Sequence, residues 1–274
     1  MTNFDASFPP HPFLQTREAE RNALLQRIQR AIEKDERIVA AWLFGSLGRG
    51  EADALSDIDI FVVASDDHIK AIITERHEFM ARLGQLALIQ EAPNNAPPEG
   101  AYNMALYAGQ YGPQQVDWYW QAQSAACIPQ QAIVLLDRIG LPRSEEPTVF
   151  GSRPGPERTP LEALNHAVDF FWIMLLITAK YAARSPEENR MGLLKYALNS
   201  LRQVQEFVGV PLCAVSEETP VPSPAAKLSL LRDLAAQMEI LMPAVEKAGG
   251  KIPAEIVPQA RLYLDFVGAI LPVV

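Results

Sequence analysis

The stretch from Arg37 to Ala64 sets the tightest limit on what this chain can fold into. Two apolar, β-compatible runs, Arg37–Phe44 and Asp57–Ala64, are joined by a glycine-bearing turn, Gly45–Ser56. Runs this apolar and this close in sequence are expected to be neighbouring strands of one sheet. The second run opens with Asp57 and Asp59, one residue apart. Strand side chains alternate between faces, so both carboxylates project from the same one. Like charges held that close repel unless a cation sits between them, and hard carboxylate oxygens suit Mg²⁺ or Mn²⁺. Two solvated acids at the end of a surface turn would be the plain alternative. It is disfavoured because Ile58, Ile60, Phe61, Val62 and Val63 set the acids at the start of a buried strand, where a charge without a partner is costly.

The turn itself can serve a polyphosphate. Gly45 and Ser46 bring backbone N–H groups toward phosphate oxygens with no bulky side chain in the way, and the Ser46 hydroxyl adds a donor. Arg49 adds a fixed charge that can fork onto phosphate. Taken alone, Gly-Ser-Leu-Gly-Arg-Gly fits an ordinary tight turn as well as a phosphate cradle; the aspartates after it decide for the cradle. Transfer of a nucleotidyl group also needs a third carboxylate, as metal ligand or as base. Asp117, the only acid in Gln-Val-Asp-Trp-Tyr-Trp, is the candidate, sharing a strand face with Tyr119 while Val116, Trp118 and Trp120 face the other way. The competing reading makes Asp117 an edge-strand acid bridged to an arginine.

Around these residues the pattern is mixed. Leu24, Leu25, Ile28 and Ile32 predict a helix over Arg17–Lys34 with Thr16 as its cap, and Ile69, Ile72, Ile73, Met80 and Leu83 predict another ended by Gly84. Gln85–Gln90 reads as a short strand, Glu91–Gly100 as a loop, and Tyr102–Ala108 with Gln115–Gln121 as a hairpin. Residues 147–158, rich in Pro and Gly, read as a linker between a first domain, 1–146, and a second, 159–274. Helices are expected near 160–184, 186–208, 224–247 and 253–271. Thr159-Pro-Leu-Glu162 and Ser185-Pro-Glu-Glu188 have capping-box spacing, Ser223-Pro224 repeats the start, and Gly209 and Gly249 close the second and third helices. This is an α+β chain ending in a helical bundle.

Charge and composition narrow the partners. A net charge of -9 over 274 residues argues against general affinity for nucleic acid and favours a small acceptor, including a cationic one. Cys127 and Cys213 lack the spacing of a disulfide framework or zinc site. No secretory signal is expected at the N-terminus, and the apolar run Phe170–Ala179 is about half of what a bilayer crossing needs, so no membrane association and a cytoplasmic location are expected.

Gly45-Ser46-Leu47-Gly48-Arg49, then Ser56-Asp57-Ile58-Asp59, with Asp117 on a later strand, resemble the nucleotidyltransferase superfamily to which DNA polymerase β belongs. They look most like the members that adenylylate aminoglycosides or lincosamides. The resemblance covers roughly the first 125 residues. It implies a mixed sheet backed by helices, with ATP or another nucleoside triphosphate held by Gly45, Ser46 and Arg49, and Ser56 beside them. It further implies Asp57 and Asp59 as metal ligands, and Asp117 as third ligand or general base.

Lys180 and Lys195 could reach the triphosphate from the second domain, though helix lysines are more often simply solvated. Asp169, inside Val168-Asp-Phe-Phe-Trp172, could contact an acceptor amine or belong to a solvated stripe with Glu162 and His166. The expected reaction moves a nucleoside monophosphate onto a hydroxyl of a small molecule and releases pyrophosphate. The rivals are transfer to a protein or tRNA, and a silent nucleotide-binding module. The aromatic hairpin and apolar helices offer a surface for a homodimer.

Overall fold

The computed structural model describes residues 12–145, 155, 157–184, 193–211 and 223–271. It divides the chain into two compact units: Leu14–Gly109 with Gln114–Pro156, and Met1–Phe13 with Gln110–Pro113 and Glu157–Val274.

The first unit is built on a six-stranded sheet. Its strands are β1 (Ile38–Leu43), β2 (Ile58–Ala64), β3 (Leu86–Glu91), β4 (Ala101–Tyr107), β5 (Gln114–Ala122) and β7 (Ile133–Asp137), in the order β3-β4-β5-β2-β1-β7. The β2–β5 pair is parallel and the other pairs are antiparallel, so the sheet is mixed. As the apolar runs predict, β1 and β2 are neighbours, and β4 and β5 form the hairpin. A two-residue parallel pair, β6 (Ile128–Pro129) with β8 (Arg143–Ser144), stands apart.

Alternation along β2 and β5 separates two faces. Ile58, Ile60, Val62, Val116, Trp118 and Trp120 point to the face covered by α1 (Pro12–Lys34) and α3 (Ile69–Ala81), where they pack with Leu24, Ile28, Ile32, Ile72, Phe79 and Met80. The opposite face carries an aromatic ladder. Trp42, Phe61, Tyr119 and Tyr102 are register partners on β1, β2, β5 and β4, with ring centroids 5.1, 4.9 and 4.8 Å apart in turn. Ala96, Ala126 and Ile128 cluster with the ladder.

Local boundaries differ from expectation in instructive places. Helix α1 begins at Pro12, not Arg17, so Thr16 lies inside it; proline suits the first turn, where its missing N–H goes unneeded. Helix α3 ends at Ala81 with Arg82 still right-handed, and Gly84 is not its cap. A Cβ on Gly84 would come 3.3 Å from the Tyr107 ring, which accounts for a glycine there by close packing. The expected Gly45–Ser56 turn contains one helical turn, α2 (Gly45–Gly48). Strand β7 had no counterpart in the sequence reading.

The second unit contains α4 (Pro160–Arg184), α5 (Leu194–Val208), α6 (Pro224–Lys247) and α7 (Ile256–Ile270). The Thr159 capping box is formed: the Thr159 amide and hydroxyl donate to Glu162 Oε2, each at 2.8 Å, and the Glu162 amide donates back to Thr159 Oγ1. Ser223 Oγ accepts from the Ala226 amide, and Gly209, at φ +68°, closes α5. The expected start at Ser185-Pro-Glu-Glu188 lies outside the described residues, as does Cys213. Helix α4 is long and apolar enough to meet the size and hydropathy of a membrane span, but 56% of that window is buried inside the protein. Packing on α5, α6 and α7 accounts for its apolar character.

Candidate functional site

The parallel pairing of β2 with β5 places Asp59 directly beside Asp117, at the roughly 4.8 Å spacing of adjacent strands. Asp57 immediately precedes β2, and continuing the register by one step sets it beside Gln115. By alternation all three acids fall on the ladder face: Asp59 and Asp117 lie two positions before Phe61 and Tyr119, and Asp57 two positions before Asp59. The Tyr119 phenol is pushed well above the ordinary value, first by burial and then by the negative charges of Asp117, Asp59 and Asp57.

The turn closes onto the same point. The Phe44 amide donates to the Asp59 carbonyl at 3.1 Å, fixing the end of β1 on β2. Gly45 follows at φ +62°, and a Cβ there would overlap the Asp59 carboxylate. The glycine is needed twice, for a left-handed backbone and for the approach of Asp59. Opening the helical turn α2, the Gly45, Ser46 and Leu47 amides have no acceptor within it. The start of that turn therefore lies against the Asp59 carboxylate.

Ser56 and Arg49 have other engagements. The Ser56 hydroxyl donates to Asp53 Oδ1 and accepts from the Asp53 amide, both at 3.0 Å, and Asp53 Oδ1 also accepts from the Leu55 amide. Arg21, buried on α1, donates to the Asp53 carbonyl. These contacts pin the turn that delivers Asp57 to β2. Arg49 lies beyond α2 and pairs with Glu51 at 2.7 Å on the surface, a contact weak enough to exchange for a phosphate.

Asp117 is buried on a central strand, not at an edge. The Tyr102 hydroxyl donates to its Oδ1 at 3.1 Å, and Gln115 Nε2 donates to Oδ1 and Oδ2 at 3.1 and 3.2 Å. The sequence reading missed Gln115 and Tyr102, as well as Asp53 and Arg21. Gln115 could have been found from alternation, since it lies two residues before Asp117 on the same face. Tyr102 could not, because its role depends on the register of β4 against β5.

The remaining candidates belong to the helical unit. Lys180 is buried on α4 with its ammonium 5.6 Å from the Tyr181 ring centroid, and Lys195 is exposed on α5, 5.1 Å from that of Tyr196. Asp169 on α4 is no freely solvated acid: burial pushes its carboxyl up to about 7, against a smaller opposing pull from Lys251.

Among the described residues, no three His, Cys, Asp or Glu side chains stand close enough to form a ready metal cluster. The donor chemistry still fits a hard divalent ion: Asp59 and Asp117 are register partners on adjacent strands, Asp57 shares their face by alternation, and the glycine beside Asp59 leaves room for its carboxylate. A cavity of about 810 Å³ lies elsewhere, between α1 and α3 on the other face of the sheet. Arg27, Arg30, Lys34, Arg37 and Arg82 supply its cations, and Arg37 is paired with Asp35 and Glu75.

Residues 26–102 match the family described as Polymerase beta, Nucleotidyltransferase. Over that segment the chain matches a nucleotidyltransferase domain of the polymerase β-like superfamily, which supports nucleotidyl transfer as the general activity. The match covers β1, α2 and β2, and stops before β5 and Asp117. No curated protein matches the chain.

Proposed function

We propose that this protein transfers a nucleoside monophosphate from a nucleoside triphosphate to a hydroxyl of a small molecule, using Mg²⁺ or Mn²⁺ held by Asp57, Asp59 and Asp117. The observation that carries the reading is the register pairing of Asp59 with Asp117 beside a glycine turn that Asp59 itself touches. A bound divalent ion supplies neutralisation of the triphosphate and of the charge that builds up in the transition state. The Gly45 and Ser46 amides and the Ser46 hydroxyl bind phosphate oxygens, and Arg49 leaves Glu51 to join them. The acceptor oxygen attacks the α-phosphorus in line. The new O–P bond forms as the bond to the β-phosphate bridge breaks, pyrophosphate departs, and the hydroxyl proton passes to a base.

A net charge of -9 favours a cationic acceptor of the aminoglycoside type over a polyanion, with lincosamide-like compounds next. We place the reaction in the cytoplasm, where nucleoside triphosphate is abundant.

Pyrophosphate release should be measured over the four ribonucleoside triphosphates and a panel of small hydroxyl acceptors, with Mg²⁺ present. Turnover should appear with at least one acceptor and fall by about 100-fold or more in Asp57→Asn and in Asp59→Asn, the scale expected when transition-state charge loses a preorganised partner. Undiminished turnover in both variants would refute the assignment. Nucleotide binding that needs the metal but yields no product with any acceptor would favour the silent binding module.

A further inference from the structure

An aspartate carboxyl turns about a broad, soft torsion, so its plane is set by whatever hydrogen-bonds to it. At Asp117 two donors grip the group in different ways. The Gln115 amide spans both oxygens and sets the plane, and the Tyr102 hydroxyl fixes Oδ1. Both donors are well anchored. Tyr102 is almost fully buried and forms the β4 end of the aromatic ladder, its ring tilted against that of Tyr119 with centroids 4.8 Å apart. Gln115 lies two residues before Asp117 on β5, on the same face, and next to the position of Asp57 by register. Both donors are also neutral, so they orient the carboxylate without cancelling the charge that a cation would use. An arginine in their place would have done so.

We infer that Gln115 and Tyr102 are positioning residues that hold Asp117 in the orientation a divalent ion requires, and so tie the ion site to the rigid ladder. The inference rests on the metal-dependent reading above. Partners of this kind are known to change metal affinity by 10–100-fold when removed.

The test is Mn²⁺ binding to the full-length protein in the presence of a non-hydrolysable nucleoside triphosphate, followed by electron paramagnetic resonance and calorimetry. Wild type should bind Mn²⁺ in a manner lost in Asp57→Asn. Tyr102→Phe, which keeps the ring, and Gln115→Leu should each weaken that binding about tenfold, with the melting temperature of Tyr102→Phe close to wild type. Gln115→Asn keeps an amide that is too short to span both oxygens. It should behave like Gln115→Leu and serves in its place if the leucine variant does not fold. Wild-type affinity in Tyr102→Phe and in the Gln115 variants would overturn the clamp while leaving the ion site standing. Wild type that binds Mn²⁺ no better than Asp57→Asn would overturn both.

Discussion

Gly45 shows how much one residue can carry. Its positive φ costs an L-residue roughly 1–2 kcal/mol, and the Asp59 carboxylate fills the space a Cβ would need. Gly45→Ala is therefore expected to leave a folded protein with a displaced Asp59 and to lose about 100-fold in kcat/KM, the scale of a 1 Å misplacement. Steady-state kinetics beside a thermal melt would check it, and wild-type kcat/KM in a folded variant would contradict it. The sequence made this glycine legible as a place where backbone meets phosphate. Its contact with Asp59 was not legible, because that depends on how the turn folds back on β2. Ser56 is the reverse case. Its neighbours pointed to the site, but its hydroxyl is committed to Asp53, a local turn bond that competes with any ligand role. Asp169 stood out as an acid in an apolar helical stretch, and its burial is the physical content of that oddity.

At the scale of elements, the strands were readable where apolar runs were long and the hairpin signal was strong. Runs Arg37–Phe44 and Asp57–Ala64 became β1 and β2, and Thr159, Ser223 and Gly209 mark helix ends by chemistry that is written locally. Strand β7 escaped because Ile133–Leu136 is a short run on a half-exposed edge, made a strand by pairing with β1. The ladder escaped for a related reason: four aromatic residues far apart in sequence line up only once the register of four strands is set. That alignment, one pleat from the acids, is what holds β2 and β5 rigidly in phase. Phe61→Ala removes a fully buried rung and should cost about 3–5 kcal/mol of stability. Denaturant titration would measure it. A loss below about 1 kcal/mol would mean the ladder is not the support described.

At the scale of the whole molecule, the sheet unit separates its surfaces by function. One face is sealed by α1 and α3, and the other places three acids beside a glycine turn. The α+β class was legible from the strand and helix patterns along the chain, and the candidate site from residues that cluster within Gly45–Asp59. The parallel β2–β5 pairing was not, since Asp59 and Asp117 are far apart in sequence and no local pattern encodes which strands meet. That pairing is what turns Asp117 from a lone acid into a neighbour of Asp59. Anomalous diffraction from crystals grown with Mn²⁺ and a non-hydrolysable nucleoside triphosphate tests the account most directly. It predicts manganese bound among the Asp57, Asp59 and Asp117 carboxylates with phosphate oxygens on the Gly45 and Ser46 amides; manganese and nucleotide bound away from those three acids would contradict it.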